Sequence, residues 1–210
     1  MIRLFLTLCK YFQITKKNDD YLLYQLYSEN AVMEELPCGY PDCPSTGNYT
    51  PYDSYTRSLI CYTNSKVERH LVCVARVECS SCEHTHALLP SVIIPYSPFS
   101  FHFVISLLYD FITHKYENVA SLCRQYDISI STLYRIRNRF LDDKKLMLGI
   151  LEDSITSAEA FLDDFMYGRM TDIDGRLQVY FTALGASFLQ AECSVRLKQP
   201  YPNSKTDAPP

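Results

Sequence analysis

The sequence predicts an α+β fold: a small β-hairpin, then two short helices joined by a tight turn, then a mainly helical C-terminal region. Three observations lead to this prediction. Two short-spaced cysteine pairs enclose two stretches that alternate between apolar and polar residues, as half-buried strands do. Further along the chain, serine, proline and asparagine stand where helices would begin. Beyond them, apolar residues recur at helical spacing.

Composition and charge narrow the class of protein. The chain has 210 residues, of which 47% are hydrophobic, so it can build at least one sizeable core. Its net charge of −4 argues against a uniformly basic nucleic-acid coat. Segment 115–145 differs from the rest, because seven basic and four acidic residues give it a charge of +3.

The sequence predicts neither a signal peptide nor a membrane span. Its apolar start is interrupted at Lys10, and no stretch reaches the ~18 apolar residues that a spanning helix needs. We therefore expect a cytoplasmic protein with no membrane partner. In that compartment the nine cysteines are not expected to form a disulfide framework.

Two stretches in the first half of the chain predict a β-hairpin. Tyr55–Tyr62 and His70–Val77 are rich in residues that favour strands, and Thr63–Lys66 ("TNSK") is a plausible turn between them. Upstream of this hairpin, residues 1–36 read as a short strand, a polar turn, and then either a helix or a strand. The pattern does not decide between these last two.

The hairpin lies between a C-x4-C pair and a C-x2-C pair, and this spacing is typical of a zinc ribbon. A hairpin brings its two loops to one end, where four thiolates can close a tetrahedral site. Such a closed site is structural, and one Zn²⁺ would stabilise a hairpin that has little core of its own. The predicted ligands are Cys38, Cys43, Cys79 and Cys82.

Other roles for these residues stay open. The four cysteines could be small buried hydrophobic residues, or Cys79 and Cys82 could form a redox pair. His84 or His86 could replace a cysteine ligand, although both read as surface or loop residues. We expect the remaining cysteines to be packed thiols, within the two strands for Cys61 and Cys73 and in the core for Cys9, Cys123 and Cys193.

The second half of the chain predicts a helix-turn-helix. Ser97 and Pro98 are expected to start a supporting helix. Asn118 is expected to cap a short helix that ends near Tyr126, with Ile128 as a buried plug in the turn. Ser129 would then cap a recognition helix through Leu141, which completes the motif.

Helical geometry separates two faces of the predicted recognition helix. At ~100° per residue, one face is apolar and the opposite face is polar, while Arg137 falls on the core side. The expected core residues are Ile130, Leu133, Ile136, Phe140 and Leu141. The expected DNA-contacting residues are Ser131, Thr132 and Arg135 at base edges, Asn138 beside them, and Arg139, Lys144 and Lys145 at phosphates. An ordinary solvated helix face is the alternative.

These motifs resemble those of a known group of proteins. "RVECSSCEHTHALLPSVIIPYS", followed by a helix and "YDISISTLYRIRNRF", is similar to a bacterial family of unknown function that joins a zinc ribbon to a helix-turn-helix. The layout also resembles the amino-terminal part of insertion-sequence transposases. The resemblance covers residues 38–141. It departs from the usual C-x2-C spacing at Cys38 and Cys43, and it implies sequence-specific binding to double-stranded DNA.

We divide the chain on these grounds. The predicted segments are an N-terminal strand/helix segment at 1–36, a zinc ribbon at 37–95, a helix-turn-helix at 96–145, a helical C-terminal region at 146–198 and a disordered tail at 199–210. The expected helical patterns beyond Lys145 include "AEAFLDDFM" and "LQVYFTALGASFLQ". These helices have no other assigned role, so they could join the protein into a homodimer.

The predicted function is sequence-specific DNA binding, as a transcriptional regulator or a transposase-like factor of a mobile element. A protein-interaction adapter that uses the ribbon and the acidic C-terminal helices is one alternative. A minimal or degenerate transposase is another. We expect no enzyme, because the carboxylates of the C-terminal third lie on helical patterns and no phosphate loop or hydrolase motif is present.

Overall fold

The computed structural model describes residues 1–5, 19–40, 42–154 and 157–190. This part of the chain mixes α and β structure, with six α-helices and a four-stranded sheet. The strands are β1 (Ile2–Leu4), β2 (Tyr49–Thr63), β3 (Lys66–Cys79) and β4 (Thr85–Pro90). The helices are α1 (Asp20–Asn30), α2 (Phe101–Ile112), α3 (Val119–Gln125), α4 (Ile130–Leu151), α5 (Ala158–Tyr167) and α6 (Met170–Leu184). Cys9, Cys193 and the predicted tail at 199–210 lie outside the described residues.

The predicted hairpin is present and is longer than expected. β2 and β3 pair antiparallel from Tyr49 opposite Cys79 to Thr63 opposite Lys66. Asn64 and Ser65 form the two-residue turn with φ of 51° and 61°. Positive φ at both positions is what a type I′ hairpin turn requires, and asparagine tolerates it better than most residues. The longer strands carry the open end of the hairpin as far as the cysteine pairs.

Two further strands complete the sheet, in the order β1-β4-β3-β2. β4 pairs antiparallel with β3, and β1 pairs parallel with β4, with Ile2 opposite Leu88 and Leu4 opposite Pro90. β4 was not predicted from the sequence. β1 joins the first residues of the chain to the sheet that contains the hairpin, through β4.

The stretch whose structure the sequence left open is a helix. Asp19 caps α1 by accepting a hydrogen bond from the backbone N–H of Leu22. The carboxylate of Asp20 accepts from the backbone N–H of His102 at 2.9 Å and lies 2.5 Å from Nδ1 of the same histidine. Both side chains are buried. This pair fixes the start of α1 against the start of α2.

Helix α2 begins three residues later than the sequence indicated. Its cap is Ser100, whose hydroxyl accepts from Phe103, so the predicted start at Ser97 and Pro98 is wrong. Phe99 and Ser100 are held as extended chain by bridges to Ile60 and to the segment before α2. These tertiary hydrogen bonds outweigh the local preference of Ser-Pro to start a helix.

Helices α4 to α6 form the C-terminal region. α4 runs ten residues past Leu141, the predicted end of this helix. The helix expected through "LQVYFTALGASFLQ" stops at Leu184, because Gly185 adopts a left-handed φ of 65° and ends α6. Residues from all six helices and all four strands contribute to one buried cluster. No helix among the described residues is long and apolar enough to cross a membrane.

Candidate metal centre and the surface of α3 and α4

Two loops at the open end of the hairpin carry the four predicted ligands. Cys38 and Cys43 lie in the loop before β2, while Cys79 ends β3 and Cys82 lies in the turn that leads to β4. The first loop is closed by the hydrogen bond from Cys38 N–H to the carbonyl of Ser45. Three further hydrogen bonds join one loop to the other: Ser80 N–H donates to the Asn48 carbonyl, the side-chain amide of Asn48 donates to the Ser81 hydroxyl, and that hydroxyl donates to Ser45.

The four sulfur atoms lie together, as the spacing predicted. All Sγ atoms are within 4.8 Å of one another, with 3.6 Å between Cys38 and Cys82 and 3.9 Å between Cys43 and Cys79. A disulfide needs about 2.05 Å, so these are free thiols. Four ligands at the corners of a tetrahedron, each about 2.3 Å from a metal ion, stand about 3.8 Å apart. The cluster therefore has the dimensions of a four-thiolate metal site and could bind a metal ion.

Backbone N–H groups make the four thiols unequal. The N–H groups of Ser81 and Cys82 point at Cys79 and lower its pKa to about 6. Burial raises the pKa of Cys38 to about 12, partly offset by the N–H of Tyr40. Donors two residues beyond a cysteine stabilise its thiolate form, which is the form that binds a metal.

Two aromatic residues contact the cluster from the side of the sheet. His86 is only 4% exposed in β4, and its Nε2 lies 3.3 Å from the sulfur of Cys38. The reading of His86 as a surface or loop residue is therefore wrong. Tyr49 lies beside the cluster, and its buried hydroxyl has no hydrogen-bond partner among the described residues. Burial raises the pKa of Tyr49, and negative charge on the cysteines adds to the effect.

His84 and the other cysteines that the structure describes do not belong to the cluster. His84 is an exposed loop residue, as expected, and its ring stacks on Tyr40. Cys61 and Cys123 are buried, also as expected. Cys73 is exposed, so its expected packing is wrong. It lies in β3 opposite Thr56, on a face of the hairpin that no helix covers.

Helices α3 and α4 begin at the predicted caps. The side chain of Asn118 accepts from Ser121 N–H, and the hydroxyl of Ser121 accepts from Asn118 N–H, which makes a reciprocal capping box. Ser129 accepts from the N–H of Thr132 at the start of α4. Between the helices, Asp127 takes a left-handed φ of 49°, and Ile128 packs against the core although it is only partly buried.

The buried face of α4 agrees with the prediction only in part. Leu133, Ile136 and Phe140 are buried, but Ile130 is 48% exposed and Leu141 is 37% exposed. The buried stripe is centred about 90° or more away from these two residues around the helix. They therefore lie at its border, next to the polar face.

The predicted DNA-contacting residues line the open side of α4, except Lys144, which falls about 50° from the centre of the buried stripe. Ser131, Arg135, Asn138 and Lys145 are exposed, and Thr132, Arg139 and Lys144 are partly buried. The hydroxyls of Ser131 and Thr132 both lie 2.9 Å from that of Ser129, so they share the helix cap. Arg137 donates to the side-chain oxygen of Asn138. This surface carries cations and hydrogen-bonding groups close to the start of the helix.

Several carboxylates of the C-terminal third make contacts between helices. Asp143 accepts from the hydroxyl of Tyr180 and from the N–H of Leu189, and burial raises its pKa. Arg176 contacts Asp164 at 3.0 Å and Asp153 at 4.0 Å. Within the described ranges, the four cysteines are the group of His, Cys, Asp and Glu side chains that meets the distance requirement for a metal ion.

Comparison with known proteins agrees with part of the resemblance. Residues 41–136 match the model of a domain of unknown function (DUF6431). The match includes three of the four clustered cysteines, all of α3 and the first two turns of α4, and it begins after Cys38. It is consistent with a family of unknown function. No curated protein and no solved structure matches the chain.

Proposed function

We propose that this chain is a sequence-specific DNA-binding protein in which α3 and α4 form a helix-turn-helix and the four cysteines hold one structural Zn²⁺. The observation that carries the proposal is the pair of capped helices. A capped α3, a turn of four residues and a capped α4 whose polar face is open to solvent are the parts that this motif needs.

The donor set supports zinc as the metal. Four thiolates in a tetrahedral arrangement suit Zn²⁺ better than Mg²⁺ or Ca²⁺, which prefer oxygen ligands. The sulfur separations of 3.6 and 3.9 Å are close to the tetrahedral value of about 3.8 Å. Four protein ligands leave no position for a substrate, so the ion would be structural. It would join the loop before β2 to the turn after β3.

The chemistry of the α4 surface supports the assignment of contacts. Residues early in a recognition helix enter the major groove, which favours Ser131, Thr132 and Arg135 as base contacts. Arginine can contact guanine, and Asn138 can pair with adenine. Arg139, Lys144 and Lys145 lie further along the helix and would contact phosphates. The surrounding segment has a charge of +3 in a chain of net charge −4, so the cations are concentrated where DNA would bind.

The test is fluorescence anisotropy with the zinc-loaded protein and duplexes selected from a random-sequence library. We expect selective binding that weakens steeply with salt, because bound phosphates release counterions. Arg135→Ala should lose selectivity by about tenfold or more, corresponding to ~1–3 kcal/mol for one base contact. Lys145→Ala is the matched control and should weaken all duplexes about equally. A folded, metal-loaded protein that binds no duplex at low salt would contradict the proposal.

The same assay separates the alternatives. An adapter would bind DNA weakly and without a preferred sequence, and a minimal transposase would cut strands when Mg²⁺ or Mn²⁺ is added. We also propose that the protein binds as a homodimer through the C-terminal helices, where Tyr167, Val179 and Leu184 are exposed. Light scattering with and without DNA would measure the mass, and a monomer on a single half-site would contradict this part.

A further inference from the structure

The β2–β3 hairpin has one covered face and one open face. Leu59, Cys61, Val72 and Val74 are buried on the covered side. Directly paired residues share a face of a sheet, and successive residues alternate between faces. Three pairs on the opposite side are exposed throughout, and the side chain of Leu71 is 76% exposed. The residues that define this hairpin outer face are Ser54, Thr56 and Ser58 on β2, their partners Leu71, Cys73 and Ala75 on β3, and Arg69.

The hairpin outer face carries no carboxylate, although the chain has 24 acidic residues. The two strands contain three acidic residues, and all belong to the other face: Asp53 is paired with Arg76, while Glu68 and Glu78 lie on the same side of β3 as the buried Val72 and Val74. The face presents three hydroxyls at every second residue, about 7 Å apart. Arg69 is its charged residue. Such a surface suits a polyanion better than it suits a basic protein.

Direct contacts hold this face beside the start of α4. The guanidinium of Arg69 forms an ion pair with Asp127 in the turn between α3 and α4. The ring of Tyr62 stacks on that of Tyr126 at 4.2 Å, and Gln125 donates to the hydroxyl of Tyr62. The hairpin therefore reaches the turn that precedes the proposed recognition helix.

The ion pair contributes little to stability. The side chains of Arg69 and Asp127 are 55% and 66% exposed, and exposed pairs are typically worth about 0–1 kcal/mol. Arg69 can therefore exchange the carboxylate for another anion at small cost. Its guanidinium matches a phosphate as well as a carboxylate.

We propose that the hairpin outer face is a second DNA-contacting surface, which binds the phosphate backbone beside the groove that α4 reads. This inference rests on the proposed function and deepens it. Arg69 would contact a phosphate directly, and the hydroxyls of Thr56 and Ser58 would donate to phosphate oxygens. Because these contacts meet only the backbone, they add affinity and register without adding sequence preference.

The experiment measures anisotropy of the selected duplex and of a scrambled duplex between 50 and 300 mM salt. Thr56→Glu places a negative charge in the middle of the face without disturbing a buried side chain. Its matched control is Ser28→Glu, at an exposed position of α1. Arg69→Ala is made in an Asp127→Asn background, so that no unpaired carboxylate is left in the turn, and it is compared with Asp127→Asn alone. Asparagine tolerates the left-handed backbone at that position.

We expect Thr56→Glu to weaken both duplexes by about tenfold at low salt, because it adds one unfavourable charge to the phosphate interface. Arg69→Ala should reduce the slope of log affinity against log salt by about one. Neither variant should change the selectivity between the two duplexes, and the control Ser28→Glu should bind both duplexes as tightly as the wild type does. Unchanged affinity and slope, in a protein that still loses selectivity with Arg135→Ala, would overturn the inference but not the proposed function. Loss of self-association in place of DNA affinity would assign the face to a protein partner and would also overturn it. A wild-type protein without salt-dependent binding would reject the proposed function itself.

Discussion

Ile130 and Leu133 were both predicted to be core residues, but they differ in exposure in the structure. Leu133 is completely buried, whereas Ile130 is 48% exposed. Truncating a buried leucine to alanine costs about 2–5 kcal/mol, since the lost transfer energy is added to the cost of a cavity. Truncating a half-exposed isoleucine loses roughly 1 kcal/mol of burial, and the better helix propensity of alanine offsets about half of that.

The assay is urea denaturation of the zinc-loaded protein, followed by circular dichroism. We expect Leu133→Ala to lower the free energy of unfolding by about 3 kcal/mol and Ile130→Ala by less than about 1 kcal/mol. When both variants are compared under conditions in which they are folded, Ile130→Ala should reduce DNA affinity more than Leu133→Ala does. Ile130 stands at the start of α4 beside Ser131, where an apolar side chain can contact a thymine methyl group.

Replacing thymine by uracil in the selected site removes that methyl group without changing base pairing. The wild-type protein should lose affinity by about threefold to tenfold on this replacement, and Ile130→Ala should be insensitive to it. Equal destabilisation by the two alanine variants would refute the reasoning about exposure. Equal sensitivity to uracil in wild type and Ile130→Ala would refute the role of Ile130 in reading DNA.

Three further predictions concern the cysteine cluster, two glycines and a buried polar pair. Cys79→Ser should lose the bound metal and lower the melting temperature. Its control is Cys73→Ser, at the exposed cysteine of β3, which should keep one metal per chain when the metal is measured by plasma mass spectrometry. Gly39→Ala should weaken metal binding in a chelator competition, because its Cβ would lie 2.5 Å from a main-chain oxygen of the first residue. Gly149→Ala, which meets nothing within 4 Å inside α4, should instead stabilise the protein by about 0.5–1 kcal/mol in urea. Removing one partner of the buried Asp20–His102 pair should lower the free energy of unfolding by about 3–5 kcal/mol. His102→Ala is therefore expected to unfold at a lower urea concentration. An unchanged midpoint would refute the structural role of the pair.

The features that the sequence predicted correctly depend on residues close together in the chain. The caps at Asn118 and Ser129 need only a side-chain acceptor and an N–H two or three residues further on. The cysteine cluster needs two short loops and a hairpin between them, and each of these has a local signal. Short-range geometry was therefore enough to predict that the four cysteines lie together.

The features that the sequence missed depend on distant parts of the chain. His86 is buried because β1 pairs with β4 across more than eighty residues, which no local pattern indicates. Ser97 is a residue type that often caps helices. However, β-bridges from Ile60 and Ile93 hold Phe99 and Ser100 in an extended conformation, so α2 begins at Phe101. Ile130 fits the apolar period of α4, yet the exact angle of packing decides which border of the stripe is covered.

The hairpin connects the two proposed sites, so a metal bound at the cysteine cluster would influence DNA binding without any contact with the DNA. The open end of β2 and β3 lies at the cysteine cluster, and the closed end lies at the turn before α4. Side chains alternate between faces, so a slip of one residue in either strand would move its buried side chains to the outer face. Such a slip in β3 would also turn Arg69 away from Asp127. A metal ion bound by the four cysteines on both sides of the hairpin would oppose the slip, because Cys79 could not move along the strand while it shared the ion with Cys38. The metal would therefore act on the DNA surface by fixing the register of the strands that lead to it.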